Sequence, residues 1–397
     1  MAASVLFYRN MSVVAMSIES LPQTARARVL LADDQPHILA ALELLLNNHG
    51  YQTRSVSSPA AVLAAMQGES FDAVMLDLNY TRDTTGGGEG LELLSRIRLI
   101  DDAVPLVVMT AWSSVSLAVD AMRRGASDFI QKPWDNSELL GKIREQVERC
   151  HVLRSSQHRR EEESSEASEI QKGMLPSILP HIPGYDISAV TRPMHFVGAD
   201  YYNVVRVSEA QVALCIADAA GKGLPGALLM ANLQAAIGAL IDENPQPQVL
   251  CTRLNRTLYS IMPGNKFISL FYGVLDTTTN RLTYCNAGHN PPLLLRAEGG
   301  IAELASSGAV LGHFPDWQYT QADVDLAPQD TIVLFTDGVV EAHAKDGEPF
   351  GEQRVIGHFS ENHSADATSL LASVAGHCGH GFQDDATIVV LKSTRRE

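Results

Sequence analysis

Four short apolar runs in the first third of the chain each lead into a polar residue. That repetition constrains the fold more than any other feature. Val29-Leu30-Leu31-Ala32 ends in the acidic pair Asp33-Asp34, and Ala73-Val74-Met75-Leu76 ends in Asp77. Leu106-Val107-Val108-Met109 ends in Thr110, and Ser127-Asp128-Phe129-Ile130-Gln131 leads into Lys132-Pro133. Helical patterns lie between the runs, as with Ile38, Leu42, Leu45 and Leu46 at three-to-four-residue spacing. Short apolar strands alternating with amphipathic helices predict an α/β domain with a doubly wound, five-stranded parallel sheet. Such sheets take their ligands at the carboxyl ends of the strands. Asp33, Asp34, Asp77, Thr110 and Lys132 all fall at those ends.

The second half has a different texture. Asp218 lies in Cys215-Ile216-Ala217-Asp218-Ala219-Ala220-Gly221-Lys222-Gly223, Asp337 in Phe335-Thr336-Asp337-Gly338, and Asp384 in Asp384-Asp385-Ala386-Thr387. Each stands at the end of, or just before, a β-type apolar run. Carboxylates at separated strand ends can converge on hard divalent cations such as magnesium or manganese. Two such ions can activate water for in-line attack on phosphorus, so the pattern is that of a hydrolase. Residues 211–217, 267–275, 282–286 and 331–335 read as strands, and residues 225–241 as a helical block. An α+β domain with largely antiparallel sheets follows.

Between the halves, a helix is expected from Asp135 or Asn136, with Leu139, Leu140, Ile143, Val147 and Cys150 on its apolar side, running to Leu153. The polar stretch beyond contains neither Pro nor Gly up to Lys172. Glu145 with Arg149, and Arg159 with Glu163, stand at i,i+4, where opposite charges add a few tenths of a kcal/mol to a helix. The stretch reads equally as a continuing helix or as a solvated, partly frayed linker, until Pro176, Pro180 and Pro183 end it. A homodimer through a coiled coil of the linker is the less secure reading, because the apolar seam fades after Leu153. The expected organisation is a disordered leader (1–25), an α/β domain (26–148), a helical linker (149–180) and the α+β domain (181–397).

Charge and composition exclude several functions. A net charge of -16 argues against binding nucleic acid or anionic membranes. No apolar run approaches the roughly 20 residues that span a bilayer. The opening segment is mildly apolar but broken by Arg9 and Asn10, with Met11 and Met16 as alternative starts. The five cysteines are scattered, without zinc spacing or a disulfide framework, which suits a reducing cytoplasm.

Asp33-Asp34, Asp77, Thr110 and Lys132-Pro133, in this order and at these strand ends, resemble the receiver domain of two-component response regulators. The resemblance implies that Asp33, Asp34 and Asp77 hold Mg2+, and that Asp77 takes a phosphoryl group from a sensor histidine kinase or another donor. It further implies that Lys132 neutralises the modified site, Thr110 hydrogen-bonds a phosphoryl oxygen, and Phe129 is the switch aromatic. One departure is the long loop 78–90, rich in glycine and hydroxyl groups, where the family has a short loop with a proline.

The second half resembles the metal-dependent protein phosphatase (PPM) superfamily in its SpoIIE-type bacterial branch. The matching residues are Ile170-Gln171, Leu175-Pro176, Val197-Gly198-Ala199-Asp200-Tyr201-Tyr202-Asn203, and Asp218 to Gly223 with Leu224-Pro225-Gly226-Ala227. Asn286-Ala287-Gly288-His289-Asn290-Pro291-Pro292, Phe335-Thr336-Asp337-Gly338, Phe350-Gly351 and Asp384-Asp385-Ala386-Thr387 complete the set. The resemblance implies a central β-sandwich flanked by helices and a centre of two Mn2+ or Mg2+ ions. Asp218 would bridge the ions with the carbonyl of Ala219 beside it, and Asp337 and Asp384 would hold the first ion, with Asp385 a second-ranked rival. Asp200 would sit in or next to the coordination sphere, and Arg192 is a weaker candidate for substrate phosphate. Ala199 and Asn203 depart from the family's glycine and aspartate, and loss of the Asn203 charge is expected to weaken one ion site. His289 reads as a strand-end turn residue more than as a general acid.

Together these features imply a response regulator whose output is a metal-dependent phosphoserine/phosphothreonine protein phosphatase, catalytic through Asp218, Asp337 and Asp384 and controlled through Asp77. The family context suggests a phosphorylated anti-sigma-factor antagonist as substrate. The alternative is a catalytically weak phosphatase fold that binds a partner protein under receiver control. A DNA-binding output is excluded, because nothing basic or helix-turn-helix-like follows the first domain.

Overall fold

A computed structural model describes residues 26–80, 88–111, 115–241, 243, 246–305, 307–362, 364–379 and 381–394. The leader 1–25 and most of the loop insertion after Asp77 lie outside the described residues. The chain forms two compact units that divide between Arg160 and Glu161.

The first unit contains strands β1 (Arg28–Ala32), β2 (Gln52–Val56), β3 (Ala73–Asp77), β4 (Leu106–Ala111) and β5 (Asp128–Lys132). Helices α1 (Pro36–Asn48), α2 (Pro59–Gly68), α3 (Gly88–Arg98) and α4 (Val115–Arg123) connect them, and α5 (Asn136–Lys172) follows. The sheet is parallel throughout, in the order β2-β1-β3-β4-β5. Alternate residues of β1 and β3 bury on opposite faces. Leu30, Val74 and Leu76 pack with α2 and α3, and Val29, Leu31 and Met75 pack with α1 and α5. This two-sided burial is why the strands read as unbroken apolar runs.

Helix α5 is continuous over 37 residues, which decides for the helix over the frayed linker. Only its first part has an apolar face: Leu139, Ile143, Val147 and Cys150 are buried. Beyond Cys150 polar contacts take over. Arg154 donates to Asp101 Oδ2 at 2.9 Å and to the Phe71 carbonyl at 3.0 Å, and His151 Nε2 lies 3.1 Å from Asp72 Oδ1.

The second unit is a β-sandwich. One antiparallel sheet has the order β13-β10-β9-β8-β7 and the other β12-β11-β14-β15-β6. Their ranges are β6 (Tyr185–Arg192), β7 (Asp200–Arg206), β8 (Gln211–Ala219), β9 (Ile268–Asp276), β10 (Arg281–Ala287), β11 (Leu293–Leu295), β12 (Ile301–Glu303), β13 (Ala322–Asp325), β14 (Thr331–Phe335) and β15 (Ala386–Ser393). Val204, Leu214, Ile216, Phe271 and Leu282 of the first sheet meet Leu294, Ile332, Leu334, Val389 and Leu391 of the second to form the inner core. Helices α6 (Leu224–Ile241) and α7 (Pro247–Ile261) cover the outside of the first sheet. Helices α8 (Asp337–Val340), α9 (Gly351–Glu361) and α10 (Ala367–His377) cover the outside of the second.

Helices α7, α9 and α10 were not foreseen as helical blocks. In α7 the signal is plain in retrospect, since Leu250, Leu254 and Leu258 recur every fourth residue and are fully buried. Helix α6, at 18 residues, is among the described residues the one long and apolar enough to cross a membrane by length and composition, which the sequence reading overlooked. Met230, Leu233 and Ile237 pack it into the domain core.

The turn from β8 into α6 places the first acidic motif. Gly221 and Gly223 have φ of 135° and 62°, values that favour glycine. Gly226 in the first turn of α6 lies against the Gly221 carbonyl and the Ala199 side chain, both well inside the reach of an added Cβ. Gly226→Ala is expected to cost about 1–3 kcal/mol through overpacking. Urea or thermal melts of the full chain check this, and wild-type stability would show a looser turn.

Candidate functional site

Two acidic sites stand at strand ends, one in each unit. In the first, oxygens of Asp33, Asp34 and Asp77 lie within 4.8 Å of one another. Adjacent strands β1 and β3 bring them together. Lys132, from the end of β5, places Nζ 2.6 Å from Asp33 Oδ2 and 3.1 Å from Asp77 Oδ2. Asp77 is 3% exposed. Burial raises its pKa, and Lys132 opposes that rise. Thr110 is buried on β4, next to the strand that carries Asp77. All five cardinal residues are therefore at one edge of the sheet, as expected.

Phe129 faces outward, 44% exposed, with the Lys142 ammonium 5.1 Å from its ring centre and bonded to its carbonyl at 2.8 Å. Tyr80, three residues beyond Asp77, was not singled out. It is buried, its hydroxyl makes no hydrogen bond, and the Glu89 Oε2 atom is likewise buried and unpaired among the described residues. A buried hydroxyl in that position has no counterpart in apolar periodicity, which treats tyrosine as a core residue.

In the second unit, Asp200 opens β7 and faces Asp218 of β8 in register. Asp337 starts α8 directly after β14, and Asp384 stands just before β15. Thr336 joins the two sheets here: its hydroxyl accepts from the Thr387 N–H at 2.9 Å and donates to Asp200 Oδ2 at 2.8 Å. Burial raises the Asp218 pKa to about 7, with Asp337 and Asp384 adding to the shift. Burial and then Asp384 raise Asp337 as well. Asp200 is pushed well up by burial and by Asp218. The three strand-end aspartates thus act on one another electrostatically, although among the described residues only the first site gathers three ligand oxygens within 4.8 Å.

The adjacent residues Asp384 and Asp385 have different partners. Asp385 is 4% exposed and accepts the N–H groups of Met194 at 2.7 Å and Ala199 at 2.6 Å, so its oxygens hold the segment before β7. Asp384 is partly open to solvent and pairs with Lys222 at 2.7 Å. Lys222 also donates to the Gln383 carbonyl at 2.7 Å. An ammonium resting on a partly exposed carboxylate beside further acids marks a setting that suits a cation: the donors are hard oxygens, and their charge is only partly matched. Ala219 is buried beside Asp218.

Two sequence expectations change, and the reading of His289 stands. Asn203 pairs with Cys215, three residues along the strands from the Asp200–Asp218 pair and so about 10 Å away. Its side chain bonds the Tyr201 hydroxyl on the helix-covered face, so its neutral amide cannot weaken an ion site at the strand ends. Arg192 stacks on Phe382 at 4.6 Å, which gives its charge a structural partner. His289 is buried, 2.8 Å from Ser269 Oγ through Nδ1, and its N–H is held by Asn286 Oδ1 at 2.8 Å. Burial pushes its pKa down to about 4. It is a neutral packing residue against Ser269 of β9, as the turn reading holds.

The fold is that of a receiver-like parallel α/β domain followed by a PP2C-type domain of antiparallel sheets and helices. The family described as the response regulator receiver domain matches residues 29–144, and the family described as stage II sporulation protein E (SpoIIE) matches residues 208–394. The chain thus joins a receiver domain to a SpoIIE-type PPM phosphatase domain. Phosphoserine phosphatase RsbU of Bacillus subtilis is 29% identical over 245 residues, covering 61% of this chain and 73% of the relative. Protein IcfG of Synechocystis is 28% identical over 262 residues, covering 58% of this chain and 41% of the relative. The solved SiaA-PP2C domain of Pseudomonas aeruginosa superposes with a TM-score of 0.53 at 23% identity, covering 60% of this chain and 98% of that one.

Two titrations with opposite signs follow. The folded pKa of His289 lies below its unfolded value of 6.5, so its contribution is complete above 6.5 and is lost as pH falls toward about 4. The folded pKa of Asp218 lies above its unfolded value of 3.8, so in metal-free protein its contribution is complete below 3.8 and is lost as pH rises through about 7. Asp218→Asn removes the second contribution and eases the upward push on Asp200, leaving His289 as it was. In the presence of EDTA, its stability should therefore climb more steeply than wild type from about pH 5 to 7. Parallel melting curves for the two proteins would refute this.

Proposed function

We propose that the protein is a response regulator whose output is dephosphorylation of phosphoserine or phosphothreonine in a partner protein, controlled by phosphorylation of Asp77. The single observation that carries the reading is the raised pKa of Asp218 and Asp337, caused first by burial and then by the neighbouring carboxylates at these strand ends. Buried like charges of this kind are stable as anions only beside cations. Asp218, Asp337, Asp384 and the Ala219 carbonyl are the residues that would hold two Mn2+ or Mg2+ ions. Bound ions would supply Lewis-acid charge to the phosphoryl oxygens and acidify water for attack on phosphorus.

The protein's own groups do the rest. Asp200, fixed by the Thr336 hydroxyl, is set to orient water by accepting its hydrogen bond. Lys222 is half-exposed and free to exchange Asp384 for a phosphate oxygen when a cation takes its place on the carboxylate. In the receiver, Asp33, Asp34 and Asp77 are the residues that would hold Mg2+. Lys132 offsets the charge left by a phosphoryl group on Asp77, and Thr110 lies on the adjoining strand to bond one of its oxygens. The donor is a sensor histidine kinase or another phosphoryl donor. The substrate is of the anti-sigma-factor antagonist class, and the setting is cytoplasmic. The alternative of a metal-poor binding module rested on Asn203, whose distance from the acidic site removes that ground.

Manganese-dependent release of phosphate from a phosphoserine protein is the direct test. Wild type should turn over, and Asp218→Ala should lose at least a hundredfold in kcat while its receiver still accepts phosphoryl groups at Asp77. Equal rates in the two proteins would sink the assignment. Asp77→Asn should abolish any change in phosphatase rate on adding a phosphoryl donor. A donor response that survives this substitution would refute control through Asp77.

A further inference from the structure

Gln171 lies in the last turn of α5 and makes a two-way contact with the loop before β7. Its Nε2 donates to the Gly198 carbonyl at 2.7 Å, and its Oε1 accepts the Gly198 N–H at 2.9 Å. A primary amide is the side chain that matches both groups of one residue, as a neighbouring strand would. Gly198 is buried, and an added Cβ would sit 3.0 Å from Asp385 Oδ2 and 3.1 Å from Pro193 Cβ. The loop is therefore pressed between two polar clamps. Asp385 takes the N–H groups of Met194 and Ala199 from one side, and Gln171 takes Gly198 from the other. Asp200 follows two residues later, in register with Asp218.

We propose that Gln171 is a positioning residue through which the setting of the last turn of α5 fixes the Gly198–Asp200 segment, and with it the affinity of the acidic site for divalent cations. This inference rests on the cation-binding reading of Asp218, Asp337 and Asp384. Turning or unwinding the end of α5 withdraws the amide from Gly198. The Gly198 N–H and C=O then lose both partners, while Asp385 alone keeps Ala199. Asp200 is freed to move relative to Asp218, and the oxygen cluster loses its fixed spacing. The neighbouring pair Glu169–Lys172, joined at 2.7 Å and exposed, stabilises the same turn but touches nothing in the loop.

The test uses the full chain and manganese alone as probe. Gln171→Glu keeps an acceptor for the Gly198 N–H but sets a carboxylate against its carbonyl. Gln171→Leu keeps the bulk and removes both bonds. Lys172→Gln serves as the control on the same turn. Calorimetric titration should show manganese affinity at least fivefold weaker in both Gln171 variants and unchanged in Lys172→Gln. Hydrogen exchange of metal-free protein should show faster exchange at residues 197–200 in the Gln171 variants, with the rest of the sandwich as protected as in wild type. Saturating manganese should restore kcat, which a general folding defect would not allow. Wild-type affinity and exchange in both Gln171 variants would overturn the proposal. A wild-type protein that binds no manganese would instead overturn the cation-binding reading, and exchange at residues 197–200 would still decide whether the amide clamp holds.

Discussion

The sandwich is held closed at its acidic end by side chains that reach from one sheet to the other. Thr336 is bonded at once to Thr387 of its own sheet and to Asp200 of the opposite sheet, and Asp385 grips the segment that leads into β7. Through the interior the two sheets meet mainly by apolar side chains, which tolerate sliding because dispersion has little directionality. Hydrogen bonds to a buried carboxylate are directional and strengthened by charge. They fix the relative height of the strand ends, and every carboxylate of the candidate site is attached to one of those ends.

The two units solve the same electrostatic problem in different ways. In the receiver the ammonium of Lys132 is 18% exposed and lies between Asp33 and Asp77, so its charge is matched in a poorly solvated setting. In the phosphatase unit the Lys222–Asp384 pair is 54% and 39% exposed. A solvated pair of that kind is worth at most about 1 kcal/mol and exchanges readily. Permanent neutralisation suits a residue that must become covalently modified and then relax. Loose neutralisation suits a carboxylate that must accept a cation from solution.

Much of this was legible in the sequence, and the reasons are specific. Asp33, Asp77, Thr110 and Lys132 could be placed because a parallel sheet puts the end of every strand on one edge, so strand order alone brings them together. Asp218 and Asp337 were legible for the related reason that each closes an apolar run. The choice between Asp384 and Asp385 was not, because neighbours in a chain differ in direction, and direction is set by partners 186 and 191 residues away in sequence. Asn203 misled because motif spacing says nothing about distance along a strand. Lys222 and Gln171 were present in the quoted motifs without roles. A lysine or glutamine carries no periodic signal, and only the partner it meets reveals its use.

The unbroken 37 residues of α5 imply a length near 55 Å, at 1.5 Å per residue. Such a helix fixes the phase of its own side chains as well as their spacing, because each inserted residue turns the later side chains by about 100°. Seven added residues restore the original phase to within about 20°, whereas one or two do not. One or two residues inserted between Cys150 and Gln171 would therefore move Gln171 to a different face of the helix relative to the buried residues Leu139, Ile143, Val147 and Cys150.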